Sequence, residues 1–447
     1  MAVRPAEREV VRLAAGQGAY GESPDLLHRA FLPSIDYVVC DSLAETTCGY
    51  FALDRRRDES AGFAPDLAGR VALAVPYVVE RGTRLLTNAG GLNPLAAHQR
   101  AVAAARESGG RGLRVGVVAF DHPVAPDTGR RPAPFAEQVY LGAAGVVAAL
   151  EQGADIVITG RVADAALFLA PLVHEYGWAW DDWERLAAGA AVGHLLECSG
   201  QCAGGNWSGA WWETFDPVRL AQPVAEVHAD GTAVITKAAG SSGRVSFDTV
   251  REQLLYEVHD PAAYLTPDVV VDLTTARLDD LGDDRVRLHG VTGHPRPATL
   301  KGLTFASGGQ TGEVVLSFAW PDAEAKCRHV LAGLRAMAER EHIPVRDWHE
   351  EFFGVGGFGG PTLAAHDRPD DPPEVTGRLA WRCDTLVDAV AVQRLVGRIA
   401  LHSPAGLQGI GRRRRGAGGP AELLRVDAFH VERDTVECEV VVRVEEI

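Results

Sequence analysis

Short apolar runs and segments of helical periodicity alternate through the first two thirds of the chain. The runs VVRLAAG, IDYVVCD, RLLTNAGG, LRVGVVAF and DIVITG have the β-branched, apolar character of buried strands. Segments such as SPDLLHRAF, LAAHQRAVAAARES and AALFLAPLVHEYGW have helical periodicity, and glycine-bearing loops join the two kinds of segment. Strands that alternate with helices predict parallel pairing and a layered, mostly parallel α/β domain. Ligands in this class collect at the carboxyl ends of the strands, so the loops there are the expected place for chemistry.

The last third of the chain has a different pattern. EVVLSFAW, from Glu313, predicts a strand, and the segment from Pro321 predicts a helix. Two strands, VRDWHEEFFG and EVTGRLAWRC, a helix over TLVDAVAVQRLVGRIALH and a closing strand over TVECEVVVRV follow. The order β-α-β-β-α-β is that of a ferredoxin-like α+β domain. We therefore expect an α/β domain with the active site over 1–305 and a smaller ferredoxin-like domain over 306–447.

Composition and charge exclude several classes of function. A chain of 447 residues, 46% hydrophobic, is long enough for two well-buried cores. The net charge of −16 disfavours binding to nucleic acid, which needs clustered cations, and the basic run Arg412–Arg415 is interpreted as a solvated loop. No apolar run reaches the roughly 18 residues that span a bilayer, and the N-terminus lacks a signal-peptide pattern. Seven scattered cysteines favour a reducing, cytoplasmic location over a disulfide framework.

The loop GQGAYG, Gly16–Gly21, fits the dinucleotide pattern G-x-G-x-x-G. It lies between a predicted strand and a helix with Ser23 as N-cap, and Asp41 follows about 20 residues later. Against an NAD(P) site, the chain has 49 glycines, and Glu22 would place a negative charge near the phosphates. A structural or substrate-binding turn is the alternative interpretation.

Two further loops could hold an anionic substrate. TNAGGLNP combines a polar strand end with glycines and an Asn-Pro helix start, which suits either ligand binding or a tight strand-to-helix connection. ITKAAGSSGRVS places a lysine before a small-residue loop at a helix N-terminus, which suits carboxylate or phosphate binding. With the arginine of GRVAD, the candidate substrate-binding residues are Asn88, Gly90, Gly91, Asn93, Arg161, Lys237, Gly240, Ser241, Ser242 and Gly243.

The segment GHLLECSGQCAGGNW carries the strongest candidates for catalysis. His194 and Cys198 share a helix face, and Glu197 lies beside both. Zinc accepts these ligand types, but C-x-x-x-C is not a usual zinc spacing, so we expect no metal. Cys202 is interpreted as a small buried residue. The candidate catalytic residues are Glu197 and His194 as acid and base, Asp164 near the arginine of GRVAD, and Cys198 as a nucleophile.

Several long segments, taken in order, resemble one known family. They include LAETT, TNAGGLNP, YLGA, GADIVITGRVADAAL, HEYGWAWDDWERLAAG, GHLLECSGQCAGGNW, ITKAAGSSGRVS, EQLLYEVHDPAAYLTPDVVVD and the RPATLKG around Lys301. The sequence resembles the acyclic terpene utilisation (AtuA) family from about residue 10 to the C-terminus. The resemblance implies a degradative pathway for acyclic terpenes such as citronellol and geraniol, related to acyl-CoA metabolism. Glu22 and Gln138 depart from the family pattern, which indicates a specialised member.

Three functional hypotheses follow. The first is an acid–base enzyme without a cofactor, a lyase, hydratase or hydrolase acting on an acyl-CoA or other carboxylated small molecule, in a degradative or specialised biosynthetic pathway. CoA would then enter as part of the substrate. The second is an NAD(P)-binding oxidoreductase that uses GQGAYG, and the third is a non-catalytic assembly subunit. We expect a small anionic substrate and a homo-oligomer, with neither nucleic acid nor membrane as a partner.

Overall fold

The computed structural model describes residues 8–213, 216, 218–219, 221–355, 372–399, 402–411 and 419–447, so the basic run Arg412–Arg415 lies outside the described residues. The chain divides into two compact units. The first comprises the residues up to Thr128, Phe135–Phe305 and Val426–Ile447, and the second comprises Gly129–Pro134 and Ala306–Arg425. Within the described ranges, no helix is both long and apolar enough to cross a membrane.

A ten-stranded sheet forms the centre of the first unit. Its middle is a parallel block in the order β1-β2-β3-β6-β4, with β1 at Val10–Gln17, β2 at Tyr37–Cys40, β3 at Arg84–Gly91, β6 at Ile156–Gly160 and β4 at Arg114–Ala119. Antiparallel strands extend the β1 side in the order β7-β8-β12-β11, at Pro223–His228, Ala233–Lys237, Arg285–His289 and Arg277–Gly282. β19, Val441–Glu446, pairs antiparallel with β4 at the other end.

The α/β class with a large parallel sheet is confirmed, and antiparallel strands extend the parallel block at both ends. The parallel block is the part of the chain in which helices follow strands, and these helices supply the long connections that parallel pairing needs. β7 and β8 are instead joined by a tight turn closed by hydrogen bonds between His228 and both Gly231 and Thr232. A connection this short permits only antiparallel pairing.

Helices cover both faces of this sheet. They are α1 Pro24–Ala30, α2 Glu45–Arg57, α3 Leu67–Arg81, α4 Pro94–Glu107, α5 Ala144–Glu151, α6 Asp164–Tyr176, α7 Trp183–Glu197 and α8 Phe247–Leu255. Neighbouring strand residues contribute to different cores: Leu13 and Val39 pack in one, and Ala14 and Val38 in the other. A strand buried on both faces reads as a continuous apolar run, as observed in the sequence.

Shorter strands complete the first unit. β5, Ala136–Val139, pairs with Gly302–Phe305 at the start of the long strand β14, Thr299–Ala319. β9 Tyr264–Leu265, β10 Val270–Asp272 and β13 Thr292–His294 form a small antiparallel sheet. Tyr140 follows β5, and Tyr264 begins β9, so these two segments bring aromatic side chains from distant parts of the sequence into the first unit.

The second unit contains an antiparallel sheet in the order β15-β16-β14-β17. Its elements after β14 are α9 Ala323–Arg340, β15 Asp347–Phe353, β16 Glu374–Cys383, α10 Leu386–Ile399 and β17 Leu407–Gly411. Its core contains Trp381 together with Leu331 from α9 and Leu395 from α10. The strand and helix order expected from the sequence is therefore present up to the last strand.

The segment TVECEVVVRV, expected as the closing strand of the ferredoxin-like domain, forms a strand only over its last residues, and that strand belongs to the first unit. After β18, Ala421–Glu432, this segment forms a short helix α11, Arg433–Glu437, and then β19, which belongs to the ten-stranded sheet. Val442 and Val444 pack against the larger core of the first unit, which accounts for the alternating apolar pattern of β19. In the order β15-β16-β14-β17, β17 takes the place of the expected closing strand, and the later strand β18 also pairs with β14.

Candidate functional site

The first unit contains a cavity of about 670 Å³ at the carboxyl ends of its parallel strands. Gly18 follows β1, Asp41 follows β2 and Arg161 follows β6, and all three line the cavity. This is where open α/β sheets bind ligands. The C-terminal turn of α7 and the residues Tyr140, Tyr264 and Lys301 supply further walls.

A hydrogen-bonded histidine–glutamate pair lies at the end of α7. His194 Nδ1 and Glu197 Oε1 are 2.9 Å apart, and the two residues are only 2% and 8% exposed. Gln253 donates to the His194 carbonyl at 3.0 Å and so fixes this last turn. His194 Nε2 has no hydrogen-bond partner among the described residues. The imidazole is thus held through one nitrogen, while the other is buried without a hydrogen-bond partner in a residue that lines the cavity.

Close helix packing places this pair at the cavity. Gly193 lies against Ala165 in the first turn of α6, where an added Cβ would be 2.5 Å from the Ala165 carbonyl oxygen. Because only glycine permits this approach, α7 brings His194 next to the start of α6. Asp164, the first residue of α6, therefore lines the same cavity as His194.

Burial and pairing shift the protonation of both partners. Burial raises the pKa of Glu197, and the neighbouring His194 opposes this only in part. For His194, burial disfavours the charged ring, but the charge and hydrogen bond of Glu197 outweigh it and raise the pKa. Both shifts are upward, so the pair holds a proton to higher pH than the free side chains would, a direction that suits acid–base catalysis.

Arg161 is a buried cation that interacts electrostatically with two carboxyl groups, those of Asp164 and Asp41. Its Nη1 donates to the Leu43 carbonyl at 2.7 Å, and its Nη2 lies 3.0 Å from Asp164 Oδ1. Burial raises the pKa of Asp164 and of Asp41, and the charge of Arg161 opposes the rise in both. The guanidinium carbon also lies 4.1 Å from the centre of the Tyr140 ring. Arg161 therefore sets the charge state of this side of the cavity.

Asn88 lies behind Asp41 instead of lining the cavity. Its side-chain oxygen accepts from the Ser42 amide at 2.7 Å, and its amide donates to Asp41 Oδ1. The Leu43 amide donates to the same Asp41 oxygen at 2.9 Å. Asn88 thus fixes the orientation of a carboxyl group that does line the cavity.

The rest of TNAGGLNP forms a packed strand-to-helix connection outside the cavity lining. A Cβ on Gly90 would lie 2.4 Å from the Thr159 carbonyl oxygen, and one on Gly91 would lie 2.7 Å from Phe51. Asn93 caps α4 and donates to the Ala61 carbonyl at 2.8 Å. The glycines and the cap are accounted for by close packing and by the helix start.

Lys237 is already paired in the loop that follows β8. Its Nζ lies 2.9 Å from Asp284 Oδ2 and donates to the Ser241 carbonyl at 2.9 Å, and its side chain is 4% exposed. Ser242 donates to the Asp216 carbonyl, and a Cβ on Gly243 would meet the Ala203 carbonyl oxygen at 2.3 Å. Like Gly240 and Ser241, these loop residues lie outside the lining of the cavity.

Replacing Lys237 by methionine tests whether this loop binds substrate. We expect Lys237→Met to lower the free energy of unfolding by about 2 kcal/mol, because Asp284 loses a charged hydrogen-bond partner. Turnover and KM should not change. The double variant with Asp284→Asn should regain part of the lost stability in urea unfolding. A raised KM with unchanged stability would instead assign the loop to substrate binding.

The GQGAYG loop packs against the end of α7. The Gly18 amide donates to Glu22 Oε2 at 2.9 Å, so a carboxylate of the chain occupies this backbone donor. Burial raises the pKa of Glu22, although the Gly18 hydrogen bond and Arg70 oppose it. Gly18, Ala19 and Glu22 all line the cavity. The loop therefore forms one wall of the cavity, and Glu22 accepts the backbone hydrogen bond that a phosphate group would otherwise accept.

A methyl group at Gly18 should disturb the histidine–glutamate pair. The added Cβ would lie 2.6 Å from the Cys198 carbonyl carbon and 2.7 Å from the Glu197 carbonyl oxygen, and both are backbone atoms that cannot rotate away. We expect Gly18→Ala to cost about 1–3 kcal/mol in urea unfolding and to reduce turnover. Gly69→Ala, in α3 with open space around it, is the matched control and should be neutral or stabilising. Equal stabilities for the two variants would contradict the close packing.

The two cysteines of the α7 segment differ in position. Cys198 lines the cavity, but burial strongly raises the pKa of its thiol, with the Glu197 charge adding to the effect. Cys202 is fully buried in the core, where burial raises its pKa to about 12. A nucleophilic cysteine needs a lowered pKa, so this environment does not activate Cys198. Nowhere in the described ranges do three or more His, Cys, Asp or Glu residues form a group that could hold a metal ion.

The cavity is lined by His194 and Glu197 of α7 and also by three side chains that residue spacing in the sequence does not indicate. Glu45 begins α2, Tyr140 follows β5 and Lys301 lies on β14, and their side chains interact with one another. Each belongs to a segment that carries the family resemblance, namely LAETT, YLGA or RPATLKG. The family resemblance of these segments is the sequence feature that marks them, but residue spacing does not indicate that they meet in the structure.

The C-terminal segment supports the cavity wall. His430, on β18, lines the cavity, and the side chain of Arg433 is buried at the start of α11. Arg433 donates to the Pro297 carbonyl at 2.9 and 3.1 Å and also to the Pro267 carbonyl. Both prolines line the cavity, so residues after 425 hold its rim in place.

Fold and site together define a mixed α/β protein whose cavity, lined by acid–base groups, lies at the carboxyl ends of parallel strands. The model of the acyclic terpene utilisation family protein AtuA matches residues 11–442, and the chain belongs to this family. No curated protein matches the chain. A homoserine dehydrogenase structure from Thiobacillus denitrificans aligns with 85% of this chain and 82% of its own, at 11% identity. Its TM-score of 0.13 is too low for it to inform the fold or the activity.

Proposed function

We propose that this protein is an enzyme that transfers protons on a carboxylated small molecule, an acyl-CoA or a free acid, with His194 and Glu197 as its acid–base pair. The observation that carries the proposal is the 2.9 Å hydrogen bond between them, with His194 Nε2 unpartnered among the described residues. A carboxylate that holds one imidazole nitrogen sets the tautomer and stabilises the protonated ring. The second nitrogen is then the one that exchanges a proton with substrate.

The size and charge of the cavity suit a small anionic substrate. Its volume of about 670 Å³ falls within the range of roughly 300–1,000 Å³ usual for small-molecule sites. Two cationic side chains, Arg161 and Lys301, lie on its wall. Because burial raises the pKa of Glu22, Asp41, Asp164 and Glu197, these carboxyl groups carry less negative charge than their number suggests. An anionic group therefore meets less repulsion from these four carboxyl groups, and Glu45, whose pKa is lowered, is paired with Lys301.

The reaction we favour is a lyase, hydratase or hydrolase step in a degradative or specialised biosynthetic pathway. All three need one group to take a proton and one to return it, and a buried pair can do both. The description of the family as one of acyclic terpene utilisation fits a pathway that breaks down carboxylated intermediates. We also propose that the second unit is ferredoxin-like, since its strand order β15-β16-β14-β17 supports that plan, and that the protein is a homo-oligomer.

Proton transfer can be tested before the physiological substrate is known. The protein would be incubated in D₂O with a panel of saturated, 2-enoyl and 3-hydroxyacyl CoA thioesters and with the matching free acids. Proton NMR would then follow deuterium incorporation and addition or loss of water. We expect at least one class to exchange, and we expect His194→Asn to abolish this while Lys237→Met leaves it intact. Exchange that survives in His194→Asn would overturn the assignment.

A further inference from the structure

We propose that Tyr140 and Lys301 form a second subsite of the same cavity, which binds the carbonyl or carboxylate oxygen of the substrate and stabilises the negative charge that develops on it. This inference rests on the proposed acid–base function and adds a reaction class to it, namely proton removal from the carbon next to a carbonyl group.

The subsite is built from side chains of three separate segments of the chain. The Tyr140 hydroxyl donates to Glu45 Oε1 at 2.8 Å, and Lys301 Nζ lies 3.3 Å from the same oxygen. Lys301 Nζ is also 4.8 Å from the centre of the Tyr140 ring. A backbone hydrogen bond of 2.9 Å from the Tyr140 amide to the Lys301 carbonyl fixes the two residues side by side. All three side chains line the cavity.

Lys301 has donors to spare for a ligand. An ammonium group carries three N–H donors, and the contact with Glu45 uses one of them. The Lys301 side chain is 48% exposed, whereas that of Arg161 is 4% exposed and is tied to Leu43 and Asp164. A substrate oxygen can therefore reach Lys301 without breaking an existing ion pair. Of these two cations, Lys301 is the one placed for direct contact.

Glu45 holds the donors in place and keeps them in the right charge state. Burial alone would raise the pKa of Glu45, but the hydrogen bond from Tyr140 and the charge of Lys301 outweigh it and lower the pKa. Glu45 is thus ionised at neutral pH. Burial and the Glu45 charge raise the pKa of Tyr140, although Arg161 opposes this, so the phenol stays protonated and keeps its single O–H on Glu45, where it helps to position Lys301. Glu45 is a positioning residue.

The chemistry of such a subsite follows from the charge that proton removal creates. When His194 Nε2 takes a proton from the carbon beside a carbonyl group, the C–H electron pair forms a C=C bond and the carbonyl electrons move to oxygen. The Lys301 ammonium, held in place by Glu45, is a preorganised donor at that oxygen and stabilises the resulting enolate. The proton on His194 is then returned to carbon or to a leaving group, so no other reactant is needed. Asp164 acts on the pKa of both Tyr140 and Glu197, consistent with one continuous site.

Oxalate, a planar mimic of an enolate beside a carboxylate, is the probe for this subsite, and acetate is the comparison ligand. We expect the full chain to bind oxalate more tightly than acetate in calorimetric titration. Lys301→Met should weaken oxalate binding at least tenfold, and Tyr140→Phe should weaken it severalfold. Lys301→Gln keeps a hydrogen-bond donor, so its affinity for oxalate should be intermediate between those of Lys301→Met and the unmodified protein. Lys237→Met is the control and should bind oxalate normally.

Binding and exchange separate this inference from the proposed function. Glu197→Gln should lose deuterium exchange but keep its affinity for oxalate, because it leaves the subsite intact. If Lys301→Met weakened oxalate binding while His194→Asn still exchanged, the proposed function would fail and the subsite would stand. Unchanged oxalate affinity in Lys301→Met, with folding verified by its thermal transition, would overturn the subsite. Failure of oxalate to bind the unmodified protein would overturn it as well.

Discussion

Replacing Glu197 by glutamine is expected to reduce proton transfer by about a hundredfold to ten-thousandfold. The amide has the same shape as the carboxyl group and can still contact His194 Nδ1, so the fold should be retained. What is lost is the negative charge that stabilises a protonated imidazole. Deuterium exchange on the best substrate of the panel measures the loss, and the thermal transition verifies folding.

The pH profile of the same variant gives a second, independent readout. Glu197 raises the pKa of His194 against the effect of burial, so its removal should lower that pKa. A general base works in its neutral form, and the limb on which the rate rises with pH should therefore move to lower pH in Glu197→Gln. A reduced rate with an unmoved limb would mean that Glu197 acts directly on substrate. An unreduced rate would refute its role altogether.

Replacing Arg161 by methionine is expected to have the largest effect on stability. The variant leaves Asp164 and Asp41 in a buried site without their shared cation, and an unpaired buried charge typically costs about 3–5 kcal/mol. Arg161→Lys retains the charge but cannot contact the Leu43 carbonyl and Asp164 at the same time as the guanidinium does. Its loss of stability should therefore be smaller than that of Arg161→Met. Urea unfolding of the three proteins at pH 8 measures the difference.

The pH dependence of this loss has a defined sign. The folded-state pKa values of Asp164 and Asp41 are raised above those of an unfolded chain, so their contribution to stability is fully present below about pH 4 and is lost as the pH rises through the folded values. Without Arg161 the folded-state pKa values of the two aspartates rise further. The decrease in stability with rising pH then continues to higher pH. The difference from the unmodified protein should therefore be smaller at pH 5 than at pH 8. An equal difference in unfolding free energy at pH 5 and pH 8 would mean that Arg161→Met destabilises the protein through lost packing.

The sequence predicts the parts of this protein that depend on local pattern. Alternating strands and helices correctly predict the parallel block β1-β2-β3-β6-β4, because each connection there contains a helix. The partner of β19 could not be predicted, since Val442 and Val444 would suit the buried face of either sheet. Only the tertiary contacts of the first unit decide between them.

The same distinction applies to the candidate site. His194, Glu197, Arg161 and Asp164 lie close together in sequence within two segments, and the structure brings them to one cavity. Glu45, Tyr140 and Lys301 come from three distant segments, and no local spacing predicts that they meet. An asparagine at a helix start and a lysine before a glycine-rich loop give the same sequence pattern whether they bind a ligand or stabilise the fold. Asn93 and Lys237 are examples of this ambiguity. Only the observed partners separate the two cases.

The return of residues 426–447 to the first unit has a consequence for the order of assembly during synthesis. Ribosomes deliver the chain from the N-terminus, and domains generally fold as units as they emerge. The second unit, apart from Gly129–Pro134, is contiguous and can fold while the C-terminal segment is still being made. The first unit at that stage lacks β19 along the edge of β4, and it lacks Arg433 beneath Pro267 and Pro297. The finished cavity thus depends on a segment that is synthesised after the whole of the second unit.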